Sequence, residues 1–368
     1  AMFIRRYSYK AGVLVGLGLY ALGAFMFYPA KMTGEYYPFL IAYFILTCGL
    51  SFLETSSNPY ILSMGTEETA TRRLNLAQSF NPMGSLLGMY VAMNFIQAKL
   101  NPLDTASRAD LTPAEFEAVK EYDLSVLIGP YLAIGLVILA MFVLILFWRM
   151  PKNGDKNHNI DFVPTLRRIF AMPHYREGVI AQFFYVGVQI MCWTFIIQYG
   201  TRVLMADGMA EQAAEVASQQ YNILAMIIFC CSRFICTFLL RYVNTGRLLT
   251  VLAIVGGLLV VGVIGLQNIY GLYCLVGVSA CMSLMFPTIY GIALTGLGDD
   301  AKFGAAGLIM AILGGSVLPP FQAAIIDQGE LLGMPAVNVS FILPFVCFVV
   351  IAIYGHRTFL RSKGQLGG

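Results

Sequence analysis

Charge is scarce in this chain. Only 12% of its 368 residues are Asp, Glu, Lys or Arg, where soluble domains carry about 25%. That excludes a water-facing surface over most of its length. The formal net charge of +3 is too small to attract a nucleic-acid backbone. Histidine is rarer still: His158, His174 and His356 are scattered through polar segments, and no Cys-x-x-Cys pair accompanies them. A His/Cys metal site is therefore not expected. Cysteines do occur, but Cys48, Cys192, Cys230, Cys231, Cys236, Cys274, Cys281 and Cys347 all fall in apolar runs. There they read as small core residues rather than disulfide partners. No phosphate-binding loop and no nucleophile elbow is present. With no nucleophile, metal cluster or carboxylate pair, the chain does not read as an enzyme.

Apolar residues fill the space that charge leaves. They make up 58% of the chain, and the mean hydropathy is +0.73. The apolar runs are continuous rather than alternating, which predicts membrane-crossing helices and not a β-barrel. Ten spans are expected, at about 11–28, 37–64, 74–97, 124–148, 177–204, 219–240, 248–267, 270–295, 304–326 and 339–356. The chain is thus an all-α membrane protein with the lipid bilayer as its solvent.

Basic residues give an orientation. If Arg5 and Arg6 face the cytoplasm, alternating loops place seventeen Lys and Arg inside and five outside, with Arg233 left in a span. That bias obeys the positive-inside rule and puts the C-terminus in the cytoplasm. Arg233 is two turns from Arg241 and is expected to snorkel toward the inner face. Two loops are long. In the outer one, which carries Asp104 and Asp110, the run Leu111–Phe116 predicts a short capped helix. The inner one holds the polar run Asn153–Asn159, then an amphipathic stretch, Phe162–Phe170, suited to the interface. This loop divides the chain into a first helical half over 1–150 with four spans, a cytoplasmic linker over 151–175, and a second half over 176–368 with six.

An internal repeat accounts for the uneven division. Pro59 in the second span matches Pro287 in the eighth, and Gly84-Ser85 in the third matches Gly315-Ser316 in the ninth. The first half then lacks two helices that the second possesses. A 6+6 arrangement without its first two spans is the expectation.

One stretch stands out chemically. Within the apolar run 37–64, Ser51, Glu54, Thr55, Ser56, Ser57, Asn58 and Pro59 gather near mid-membrane. Ser51, Glu54 and Asn58 share a helical face, and Pro59 is expected to loosen the turn before it. Two readings stand: polar groups gluing helices together, or a substrate and proton site at membrane depth. No Lys or Arg lies within the first-half spans, so a proton is the cation available there to neutralise Glu54. In the third span Gln78 and Asn81 share a face, with Asn75 on the turn before. In the repeat register Glu54 corresponds to Met282, Gln78 to Ile309 and Asn81 to Ile312. One wall is then carboxylate and amide, and the other is Met282, Phe286, Ile309 and Ile312. A small-molecule sugar suits such a cavity, with its hydroxyls on one wall and its apolar face on the other. A receptor or scaffold would need no protonatable group at that depth.

These motifs carry a resemblance. Leu53-Glu54-Thr55 with Asn58-Pro59, the run Arg73-Leu74-Asn75-Leu76-Ala77-Gln78-Ser79-Phe80-Asn81, Gln182-Phe183, Tyr185-Val186-Gly187, Cys192-Trp193 and Phe286-Pro287-Thr288-Ile289 resemble the major facilitator superfamily. Within it they resemble the bacterial L-fucose:proton symporter branch. Related glucose/galactose transporters tend to carry Gln at the position of Glu54 and lack the Cys-Trp pair. The resemblance implies the major facilitator fold, with ten of twelve helices present, in a bacterial cytoplasmic membrane. It implies secondary active sugar uptake by alternating access, a proton as coupling ion, no other cofactor, and a monomer. The alternative cargo is glucose, galactose or another hexose. By position, Glu54 takes the proton-coupling role, and Gln78 and Asn81 contact sugar. Asn58, Asn75, Gln189, Trp193, Phe286 and Tyr290 complete the candidate set. Phe286 departs from the family's Tyr before Pro-Thr and removes one hydroxyl. The family's first helix supplies a further Asp, and that helix is not among the spans.

Overall fold

The computed structural model describes residues 1–101, 111–151, 162–331 and 333–364. Asp104, Asp110 and the polar run Asn153–Asn159 lie outside them. Nine helices among the described residues are long and apolar enough to cross a membrane: Tyr9–Thr33, Tyr36–Ser63, Pro113–Phe147, Pro173–Ala206, Glu211–Leu239, Thr245–Gly265, Ile269–Leu294, Gly298–Ile326 and Ala336–Ser362. They coincide with nine of the ten expected spans.

The third expected span, 74–97, is not one helix. It is divided into Ala70–Gln78, Phe80–Val91 and a π-helical turn Ala92–Gln97. The break falls at Ser79, whose hydroxyl donates to the carbonyl of Asn75 at 2.8 Å. Three residues on, Pro82 has no N–H for the carbonyl of Gln78. The eighth span breaks in the same way. Its helices Ile269–Met282 and Met285–Leu294 meet just before Pro287, which leaves the Ser283 carbonyl without its backbone donor. Pro59 behaves differently, because the Tyr36–Ser63 helix continues through it.

The expected short helix at Leu111–Phe116 is instead the first turn of the 35-residue helix Pro113–Phe147. Thr112 and Glu115 form a reciprocal capping box there, and Pro113 occupies the first helical position, where a missing N–H matters least. The amphipathic stretch folds as the helix Phe162–Ala171, with Ile169 buried and Arg168 paired to Asp300 at 2.7 Å.

The chain forms two compact units. The first comprises Ala1–Tyr60 and Gly84–Ile160. In it, glycines let the Tyr9–Thr33 and Tyr36–Ser63 helices meet backbone to backbone. A Cβ on Gly49 would stand 2.5 Å from the nitrogen of Tyr20, and one on Gly23 equally close to that of Leu46. Phe27 stacks on Tyr131 at 4.0 Å, fastening the Pro113–Phe147 helix alongside.

The second unit comprises Ile61–Met83 and Asp161–Gly368. The segment Ile61–Met83, expected in the first half, groups here because Ala70–Gln78 packs on Met285–Leu294. The Pro173–Ala206 helix runs through the core of this unit. Tyr185, Met191, Cys192, Ile196 and Tyr199 on it are all at most 1% exposed.

Candidate functional site

In the first unit, the polar stretch sorts itself by hydrogen bonding. Thr55 Oγ1 donates to the carbonyl of Ser51 at 2.7 Å, and Ser56 Oγ to that of Phe52 at 2.6 Å. These hydroxyls satisfy themselves on their own helix. Glu54 and Asn58 instead engage each other: Asn58 Nδ2 donates to Glu54 Oε2 at 2.6 Å. Asn58 is buried and Glu54 half-buried. The i,i+4 spacing thus produces a carboxyl group oriented by an amide, one turn apart on one face. Ser51 is exposed.

The other candidates belong to the second unit. Asn75 is fully buried. Its Nδ2 donates to the carbonyl of Thr71 at 2.9 Å and to Thr288 Oγ1 at 3.2 Å. The amide expected to meet substrate therefore bolts the Ala70–Gln78 helix to Met285–Leu294. Gln78 is half-buried and Asn81 exposed, on either side of the break at Ser79.

Arg233 does not snorkel. Its side chain is 4% exposed, because it has acceptors inside the unit. Nε donates to the carbonyl of Ser283 at 2.5 Å and Nη1 to that of Gln78 at 2.9 Å. Its guanidinium lies over the ring of Phe229, 4.5 Å from the centroid. Both accepting carbonyls are those that prolines four residues later deprive of a backbone donor. That spacing was the available sequence signal.

Aromatic groups lie nearby in the same unit. Phe286 is half-buried between Tyr185 and Tyr290, each with its ring centroid 6.2 Å away, the latter stacked. Tyr290 is fully buried. Trp193 is half-buried, donates from Nε1 to Ser279 Oγ at 3.2 Å, and meets Phe229 edge-on at 4.9 Å. Gln189, one turn before Trp193, is half-buried. Met282, expected on the apolar wall, lies wholly within the core, so its side chain lines no accessible wall in this structure. Ile309 is half-buried and Ile312 exposed.

The sequence model of the Major Facilitator Superfamily matches residues 1–319. The L-fucose-proton symporter of Haemophilus influenzae is 50% identical over 99% of this chain and 84% of its own length. A glucose/galactose transporter of Brucella abortus is 30% identical over 96% of this chain and 79% of its own. Among solved structures, the fucose:proton symporter of Escherichia coli superposes with a TM-score of 0.88 at 30% identity. That match covers 97% of this chain and 85% of the other.

Proposed function

The chain belongs to the major facilitator superfamily, and we propose that it carries L-fucose together with a proton across the bacterial cytoplasmic membrane. The observation that carries this reading is the likeness to the Haemophilus symporter along nearly the whole chain. The glucose/galactose transporter is a more distant relative, and that cargo is the second reading.

In the fucose reading Glu54 takes up and releases the coupling proton, held by Asn58. Gln78 and Asn81 bind ring hydroxyls from either side of the break at Ser79. Phe286, with Tyr290 stacked behind it, offers an apolar face to the sugar. Gln189 and Trp193 border the same site. Transport proceeds by alternating access, and the protein works as a monomer with no cofactor but the proton.

The cargo is tested by competition. L-Fucose has a methyl group where L-galactose has a hydroxymethyl. An apolar wall strands that extra hydroxyl at about 1–3 kcal/mol, a discrimination of roughly tenfold to a hundredfold. L-Fucose should therefore compete against labelled fucose at correspondingly lower concentration than L-galactose. Equal competition removes the apolar-wall argument, and stronger competition by D-glucose or D-galactose puts the second reading ahead.

A further inference from the structure

We propose that Arg233 is a positioning residue that clamps two proline-made helix breaks together and thereby sets the direction of Gln78 and Asn81. Its bearing on the sugar rests on the reading above, in which those amides meet the substrate.

An α-helical carbonyl is normally bonded by the N–H four residues later. Pro82 removes the donor for Gln78, and Pro287 removes the donor for Ser283. Both carbonyls lie inside a helical unit with little water to replace the loss, and an unpaired polar group there is costly. One guanidinium serves both, from Nη1 and Nε. Its planar fork can meet two acceptors at once, and Phe229 supports it from beneath. A lysine has a single ammonium and cannot hold this arrangement.

The two breaks are built alike. Each proline is the third residue of the helix that follows, Phe80–Val91 in one case and Met285–Leu294 in the other. The first break lies between Gln78 and Asn81, and the second precedes Phe286. By holding the carbonyls on either side of one side chain, Arg233 fixes the amide-bearing bend relative to the aromatic-bearing bend. Both bends lie in the second unit. A residue that only filled space could be replaced by a shape-matched apolar side chain without moving either bend.

The test uses Arg233→Met and Arg233→Lys in the full-length protein, purified in detergent, with Gln78→Ala as reference. Hydrogen–deuterium exchange of the sugar-free protein reports the clamp. Peptides spanning Ser79 and Ser283 should exchange faster in Arg233→Met, with an intermediate effect in Arg233→Lys. L-Fucose affinity reports the positioning, and the dissociation constant should rise about tenfold in Arg233→Met. Unchanged exchange at both breaks overturns the clamp. Faster exchange with unchanged affinity, where Gln78→Ala does weaken binding, overturns the positioning role. If Gln78→Ala also binds normally, the sugar-contact reading has failed and exchange alone decides the clamp. Should Arg233→Met not survive purification, Arg233→Lys carries the same two readouts, and wild-type values in both sink the proposal.

Discussion

At the scale of single residues, Glu54 is the group whose chemistry can be separated from its geometry. Asn58 donates to Glu54 Oε2, and a glutamine amide oxygen can accept the same bond. Glu54→Gln therefore keeps the orientation and deletes only the titration. Uphill accumulation driven by a pH gradient should vanish, while sugar-for-sugar exchange in proteoliposomes should persist, because exchange requires no net proton release. A mutant that still concentrates fucose under a pH gradient would show that the coupling proton resides elsewhere. Asn75 calls for the opposite outcome. Its amide is spent on Thr71 and Thr288 inside the unit. Asn75→Ala should lower the melting temperature through the loss of an interhelical bond worth about 0.6–1.7 kcal/mol. Fucose affinity should stay at its wild-type value, and a clear loss would return Asn75 to the binding site.

At the scale of helices, hydropathy located the spans but not their interruptions. The break before Pro287 leaves no mark in hydropathy because the residues on both sides stay apolar, and proline alone does not announce a break. Pro59 is accommodated in a continuous helix, whereas Pro82 and Pro287 sit beside breaks. At both breaks Arg233, from a helix remote in sequence, holds the freed carbonyl. Arg233 itself was misread because its distance from Arg241 fits snorkelling, and nothing local reveals acceptors on other helices. Met282 was misread for a related reason. The internal repeat fixes its register against Glu54 but not how deeply the core covers it. The Glu54–Asn58 pair was legible because both residues lie on one helix, where spacing alone determines the face. The glycine contacts of the first unit make their own prediction. Gly49→Val places branched carbon where Tyr20 backbone already stands, and should destabilise by about 1–3 kcal/mol through overpacking. Gly84→Ala meets nothing within 4 Å and should melt like the wild type. Equal melting of the two variants would show that the close crossing does not matter.

At the scale of the whole molecule, side-chain contacts within each unit recover the alternation that the basic residues imply. In the first unit Lys10 Nζ bonds the carbonyls of Leu146 and Trp148, and Tyr60 Oη donates to that of Pro151. The start of one span, the end of the next and the end of the fourth therefore share a side. Gly34 and Lys120 meet at the other end of these helices, where a Cβ on Gly34 would stand 3.3 Å from Lys120 Nζ. In the second unit Glu177 pairs with Arg357 and Arg361, His174 Nε2 lies 3.1 Å from the Thr295 carbonyl, and Asn244 Nδ2 bonds Ser362 Oγ. Tyr199 bonds the carbonyl of Leu266, and Asn338 that of Val263, at the opposite ends. In each unit the ends rich in Lys and Arg are those assigned to the cytoplasm. The divided segment Ala70–Gln97 decides the parity. Nine crossings would leave the two chain ends on opposite sides, and a tenth returns them to the same one. Arg5, Arg6 and Lys10 at one end, and Arg357, Arg361 and Lys363 at the other, favour the even count. A reporter fused after Leu360 should thus be cytoplasmic, and one inserted near Thr112 should lie outside. A cytoplasmic Thr112 would reverse the orientation. A reporter inserted near Glu67 should be cytoplasmic, and finding it outside beside an external Thr112 would mean that the broken segment between them does not cross, since only an odd number of crossings separates two sites on opposite sides.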